Sequence, residues 1–267
     1  MPETHQRATG SLHLAFKDRN GTTAIADLRQ QGCAKARFPR PTHWLEAITL
    51  NTSGGVAGGD RIATTIDLQP GAQATIATQA AERFYRALPT DAPAKLRTRI
   101  TVAEGAACEY LPQESILFDQ SALDRQLDID LADNAWFLGL ETLVFGRTAM
   151  GETVETIRLR DVIRVRIGGR LVLHDAIRLD GPPVLFSAPV ANGARAMTTL
   201  MHVSPSAEAL LDELRDRLSP FEAGASFTQG ILLIRLLATD SVALRHALST
   251  ALQCLRAPRA LPRVWNC

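Results

Sequence analysis

The sequence predicts a mainly β protein with two α-helices near its C-terminus. Two observations carry that expectation. From about Ser11 to Asp180 apolar residues recur with a period close to two, the spacing of strands with one buried face. From Ser204 onward the period lengthens to the helical 3.6. Between them, residues 181–203 are irregular and rich in Pro, Ala and Gly, and read as a connection. The expectation is one domain over residues 1–267, with a strand-rich part (1–180), that connection (181–203), and a helix–strand–helix part (204–267).

The strand signals run in order along the first part. Ile62, Thr64, Ile66 and Leu68 alternate with Ala63, Thr65 and Asp67. Pro70-Gly71 and Gly105 then punctuate the chain. Leu127, Ile129 and Leu131 alternate with Asp128 and Asp130, and Ile157 and Leu159 with Arg158 and Arg160. Ile163, Val165 and Ile167 alternate with Arg164 and Arg166, and Gly168-Gly169 turns the chain into Leu171–Leu173, a hairpin signal. No fixed repeat length emerges, so the pattern by itself leaves a sandwich, a barrel and an irregular solenoid open. In the last part, Ser204-Pro205 reads as an N-cap and first helical position. Ala207, Leu210, Leu211, Leu214 and Leu218 mark one helical face, which Pro220 ends. Phe227–Leu237 reads as one buried strand. Asp240 caps a second helix over Ser241–Leu255, with Leu244, Leu248, Leu252 and Leu255 inward, and Pro258 and Pro262 stop it.

Bulk properties narrow the function classes. The chain is 46% hydrophobic and 21% charged, enough apolar material for a full core. A net charge of +1 gives no bulk attraction for nucleic acid or an anionic membrane. The four cysteines, Cys33, Cys108, Cys254 and Cys267, form no CxxC pair, which fits a reducing compartment. Met1–Gly10 is polar, without the apolar heart of a secretion signal. The apolar run Trp136–Phe145 is interrupted by Glu141 and too short to span a bilayer. A cytoplasmic location follows as the expectation.

Local catalytic and metal signatures are absent. The chain has no HxH, HxxxH, CxxC or HExxH, no GxSxG and no Gly-Lys-Ser/Thr. The most conspicuous local feature is Asn51–Asp60, which packs four glycines into ten residues after a strand-like segment. Its spacing does not fit GxGxxG, and no helix pattern follows, which argues against a dinucleotide loop. The plain reading is a glycine-rich turn; the functional reading is a backbone-lined opening with Asp60 at its edge. Thr78–Arg86 brings Glu82, Arg83 and Arg86 together, and Leu111–Asp119 is an apolar strand flanked by Glu114 and Asp119. Glu141 is the most informative carboxylate, because burying it unpaired costs several kcal/mol on the usual order for charges. It has to reach solvent, line a wet cavity, or pair with a base, Arg147 being the nearby choice.

Five segments taken together carry a resemblance. They are Leu50–Asp60, Thr78–Arg86, Leu111–Phe118, Phe145–Glu152 and the terminal Leu261–Trp265. In order and spacing this set resembles the UreD (UreH) urease accessory family over nearly the whole chain. Two positions depart from the common pattern: Glu82-Arg83 stands where many members carry a lysine, and Asp175 where a glutamate is frequent. The resemblance implies irregular stacked sheets, a distorted β-helix or solenoid with two helices. It implies a non-enzymatic scaffold that binds UreF, recruits UreG through it, and assembles the nickel centre of apo-urease. It implies an internal wet passage for transient Ni²⁺ and no tightly bound cofactor. Nucleic acid and membrane are not expected as partners.

On that footing Asp60, Glu141 and Asp175 are the expected carboxylates of the passage, and Arg263 and Trp265 the expected UreF contacts, Arg and Trp being enriched at interface hot spots. The alternative is a β-rich hydrolase or lyase working through paired carboxylates, with Asp60, Glu114, Asp119 and Glu141 as candidates.

Overall fold

The structure, a computed structural model, describes residues 6–41, 43–147, 150–181, 187 and 190–266. Its strands are β1 (Thr9–Arg19), β2 (Thr22–Gly32), β3 (Ala34–Arg37), β4 (Leu45–Asn51), β5 (Arg61–Leu68), β6 (Gln73–Thr78), β7 (Glu82–Phe84), β8 (Ala94–Val102) and β9 (Ala107–Leu111). They continue as β10 (Ser115–Leu117), β11 (Ala122–Leu131), β12 (Trp136–Phe145), β13 (Ile157–Ile167), β14 (Arg170–Gly181), β15 (Ala196–Val203), β16 (Glu222–Thr228) and β17 (Ile231–Ala238). The helices are α1 (Leu211–Leu218) and α2 (Ser241–Arg256).

From β4 to β13 the chain alternates between two sheets. In one, β5, β8, β11 and β13 stack in parallel. In the other, β4, β6, β9 and β12 do the same. Short β7 and β10 extend the second set, β10 pairing in parallel with both β7 and β12. The coils are therefore those of an irregular two-sheet solenoid, and neither sheet closes into a barrel. Hairpins finish the ends: β1 pairs with β5 and β2 folds back on β1, and β14 folds back on β13 across Gly168-Gly169, both at positive φ. Antiparallel β15, β17 and β16 widen the second sheet beyond β12, giving seven strands in one sheet and ten in the other.

Period-two patterning explains this layout, because every second residue faces the other sheet. Leu14, Ile66, Ile100, Ile129 and Val165 from the seven-stranded sheet meet Ala74, Ile76, Cys108 and Phe137 from the ten-stranded one. A second inter-sheet cluster, around Phe84, Leu117, Leu123, Leu143, Phe145 and Leu159, fills the other end. The helices cover the outer face of the ten-stranded sheet, where Leu214, Leu244, Leu248 and Leu252 pack on Leu138, Leu200, Ile234 and Leu236. Among the described residues no helix is long and apolar enough to cross a membrane.

Three boundaries differ from the sequence expectation. Residues 181–203 are not all irregular: Ala196–Val203 is a strand in the interior of a sheet. It is buried on nearly every position, so it has no alternation to betray it. Residues 182–186 and 188–189 lie outside the described set. Phe227–Leu237 is two strands, not one, turning at Gln229-Gly230 with both residues at positive φ. Ser204 does not cap a helix; its hydroxyl meets His202 Nε2 at 2.9 Å, and α1 begins only after a 3₁₀ turn at Glu208–Leu210. α2 starts as expected, Asp240 Oδ1 accepting from the Val242 and Ala243 amides at 2.9 Å each.

Candidate functional site

Between the two inter-sheet apolar clusters runs a polar seam. It arises where charged residues occupy inward positions of the period-two pattern: Arg125 between Leu123 and Leu127, and Asp161 between Leu159 and Ile163. Arg125, 5% exposed, is its hub. Its Nε and Nη2 donate to the two Asp161 oxygens at 2.9 and 2.6 Å, a bidentate pair. Its Nη1 donates to Glu141 Oε2 at 2.5 Å and to Ser115 Oγ at 2.9 Å. Strand β11 thus bridges β13 in its own sheet to β12 and β10 in the other.

The electrostatics are unequal. Burial pushes the Glu141 carboxyl up to about 7, Arg125 opposing that rise and the Asp161 charge adding to it. The two carboxylates keep Arg125 firmly charged despite its burial. Tyr110 is raised chiefly by burial, with the nearby Glu141 charge adding to the rise.

Two cavities are found, one at the hub and one toward the glycine-rich loop. One is about 10 Å³, room for roughly one water, lined by Arg125, Glu141, Asp161, Asp175 and Thr199 among others. Asp175 closes its far side, where Arg235 of β17 pairs with it at 2.7 Å. The other is a recess of about 340 Å³ reaching inward from the glycine-rich loop, with Asn51, Gly54, Gly55, Glu82 and Arg83 at the loop side and Thr98 and Tyr110 deeper. Burial raises the Glu82 carboxyl, with a hydrogen bond from Asn51 acting against it. The loop's shape needs glycine: at Gly55, φ 143°, an added Cβ would lie 2.4 Å from the Tyr85 ring, whose hydroxyl donates to the Gly54 carbonyl at 2.8 Å.

The expected residues divide. Glu141 and Asp175 do line one cavity together. Asp60 stands apart, 4% exposed, its two oxygens accepting from the amides of Ala8 (2.7 Å) and Ala57 (2.8 Å). Those bonds tie β1 to the glycine-rich turn. Glu141 pairs with Arg125, not with Arg147, which binds Glu152 at 2.9 Å. Register explains this: strand stacking, not chain proximity, decides who faces Glu141. Arg125, Asp161 and Ser115 were missed, although the first two stand out as charges in the inward phase of their strands.

The paired carboxylates of the hydrolase reading are not brought together. Asp119 accepts from the Glu155 and Thr156 amides in a turn, and Glu114 lies 3.6 Å from Arg245 of α2. At the C-terminus, Trp265 is 4% exposed and its Nε1 donates to the Leu111 carbonyl at 3.1 Å, an internal anchor. Arg263 is the exposed one of that pair. Among the described residues no group of three or more His, Cys, Asp or Glu side chains is placed to hold a metal ion.

Comparison with known proteins gives one consistent result. The family model described as "UreD urease accessory protein" matches residues 8–266. A protein named urease accessory protein UreD from Dinoroseobacter shibae is 45% identical over 267 residues, covering 98% of this chain and 93% of its own. Proteins of the same name from Rhizobium rhizogenes (40% identical over 264 residues, 98% and 96% covered) and Xanthobacter autotrophicus (42% over 265, 97% and 90%) are similar throughout.

Proposed function

Because the chain belongs to the UreD urease accessory protein family, we propose that it is a non-enzymatic cytoplasmic scaffold of urease maturation. In this reading it binds UreF and, through it, UreG, and the assembly docks on apo-urease. Ni²⁺ is the cargo, and it moves along the polar seam between the sheets.

The observation that supports cargo transit is the Arg125–Glu141–Asp161 hub, which lines a cavity between the two apolar inter-sheet clusters. An ion pair is poor value as mere stabilisation, since well-packed apolar residues of similar volume do as well or better. A passage for a divalent cation, by contrast, needs oxygen donors that bind weakly and release. Glu141, Asp161 and Asp175 are the carboxylates that would meet the ion, and Glu82 would meet it at the recess. Arg125 offsets part of the Glu141 and Asp161 charge while no cation is present, Arg235 pairs with Asp175, and each yields its place when a cation passes. Asp60 shapes the glycine-rich turn at the entrance.

The test is urease activation at limiting nickel with the cognate partners. Glu141→Gln keeps the volume and removes the charge. The expected result is a folded variant that still co-purifies with its partners but activates urease several-fold less. Full activation by Glu141→Gln combined with Asp175→Asn would overturn the transit role. A joint loss of folding and partner binding would make these residues structural.

A further inference from the structure

The two sheets differ in what lies outside them. The helices cover the ten-stranded sheet. The seven-stranded sheet turns its outer face outward, and that face is strongly basic. Register places Arg61, Lys95, Asp124, Arg160 and Arg178 side by side in one row across β5, β8, β11, β13 and β14. Neighbouring strands lie about 4.8 Å apart, so the row is roughly 19 Å long. Four residues along, a parallel row reads Thr65, Arg99, Asp128, Arg164 and His174. Between them runs a lower row of Ala63, Arg97, Gln126, Val162 and Ala176. Its arginine leans away, donating to Asp124 at 2.6 Å. The face is a shallow trough with a basic wall on either side.

This charge is only partly balanced internally, Arg164 pairing with Asp128 and Arg166 with Asp130 at 3.5 Å each. Asp124 is already shared by Arg97 and Arg160, at 2.6 and 3.0 Å. Lys95, Arg61 and Arg178 are exposed, and among the described residues none of the three has an ion-pair partner. Arg160 and Arg178 sit directly opposite each other in an antiparallel pair, as like charges should not. Since the whole chain carries only +1, this concentration is a segregation of charge, not a general basicity.

We propose that this face docks an acidic protein surface. A protein suits it better than a nucleic acid or an anionic bilayer, because Asp124, Asp128 and Asp130 run down the middle strand. A uniform field of phosphates would meet those carboxylates head on, whereas a mosaic protein surface can set a base against them.

The choice of probes rests on the maturation reading. Lys95→Glu/Arg178→Glu reverses two exposed charges, and Lys95→Arg/Arg178→Lys conserves them. Binding of each to cognate apo-urease and to cognate UreF is measured across a salt series, with the melting temperature as control. The expected result is an unchanged melting temperature and about tenfold weaker binding to one probe for the reversed variant. Its salt dependence should flatten, and the conserved variant should bind as wild type. Unchanged binding to both probes overturns the docking proposal alone. So does wild-type capture of duplex DNA or phosphatidylserine vesicles at physiological salt, abolished by the reversal while protein binding stays. A wild-type chain that binds neither probe overturns this proposal and the maturation reading together.

Discussion

Glu141 and His202 are buried groups whose protonation the fold resists changing, and they make opposite demands on pH. Glu141 has its carboxyl raised to about 7 by burial, so the folded state favours its neutral form. Its contribution is complete below the ordinary carboxyl range and is lost as pH rises toward 7. Glu141→Gln cannot ionise, so its stability relative to wild type should improve steadily from pH 5 to 7.5 in urea unfolding. His202 is depressed to about 4, chiefly by burial. Its Nδ1 lies 2.9 Å from the Phe137 carbonyl and its Nε2 2.9 Å from the Ser204 hydroxyl, partners that suit the neutral ring. That contribution is present above the ordinary histidine range and disappears as pH falls from about 6.5 to 4. At about 1.4 kcal/mol per pH unit the loss is at most about 3.5 kcal/mol. His202→Asn should remove this acid slope, read from unfolding at pH 7 and pH 5. The sequence disclosed Glu141 as a charge in an apolar run. It concealed the partner, because Arg125 lies sixteen residues upstream and meets Glu141 only across the sheets.

The segment after α2 is held by a second buried ion cluster, on the outer face of β9. Glu109 is fully buried and accepts from Arg256 at 2.9 and 2.8 Å, Arg259 at 3.0 Å and Thr75 at 2.7 Å. Arg259 also stacks 4.2 Å above the Trp44 ring, with Trp136 at 5.1 Å. The end of α2 and the segment that follows it are thus clamped by one carboxylate. Glu109→Gln leaves Arg256 buried without its counter-charge and should destabilise the protein by about 3–5 kcal/mol. Hydrogen exchange should show protection lost first over residues 257–266, and uniform loss across the sheets would contradict this. The clamp also bears on any test of the C-terminal segment by truncation after Pro258. Removing Trp265 uncovers Leu111, so weaker partner binding by that variant would report unfolding unless a melting curve shows otherwise. Elements were legible in the sequence wherever one face is wet. α2 was found with its cap, and β5, β11 and β13 with their alternation. β15 is not, since a strand buried on both faces has no period, and Ser204 resembles a cap although its hydroxyl serves a histidine instead of a helix end.

Across the molecule, β12 binds the parts into one body. It sends Phe137 to one inter-sheet cluster, Leu143 and Phe145 to the other, and Leu138 and Leu140 to the helix-covered face. Neither the strand-rich part nor the helical part therefore owns a complete core. The two-sheet architecture was only half legible: alternation announced the strands, but strand order depends on pairing between segments with no common repeat length. The alternation of parallel strands between sheets has a further cost, in time. A hairpin closes two residues after it begins, but β5 finds β8, and β8 finds β11, only after the chain has visited the other sheet and returned. Each coil must lose loop entropy before any pairing rewards it. Refolding from urea should accordingly be slow for the chain's size, in seconds or longer. Half-wound intermediates present a naked parallel edge to one another. The yield of native protein should fall as its concentration during refolding rises, and fast, concentration-independent recovery would contradict that order of assembly.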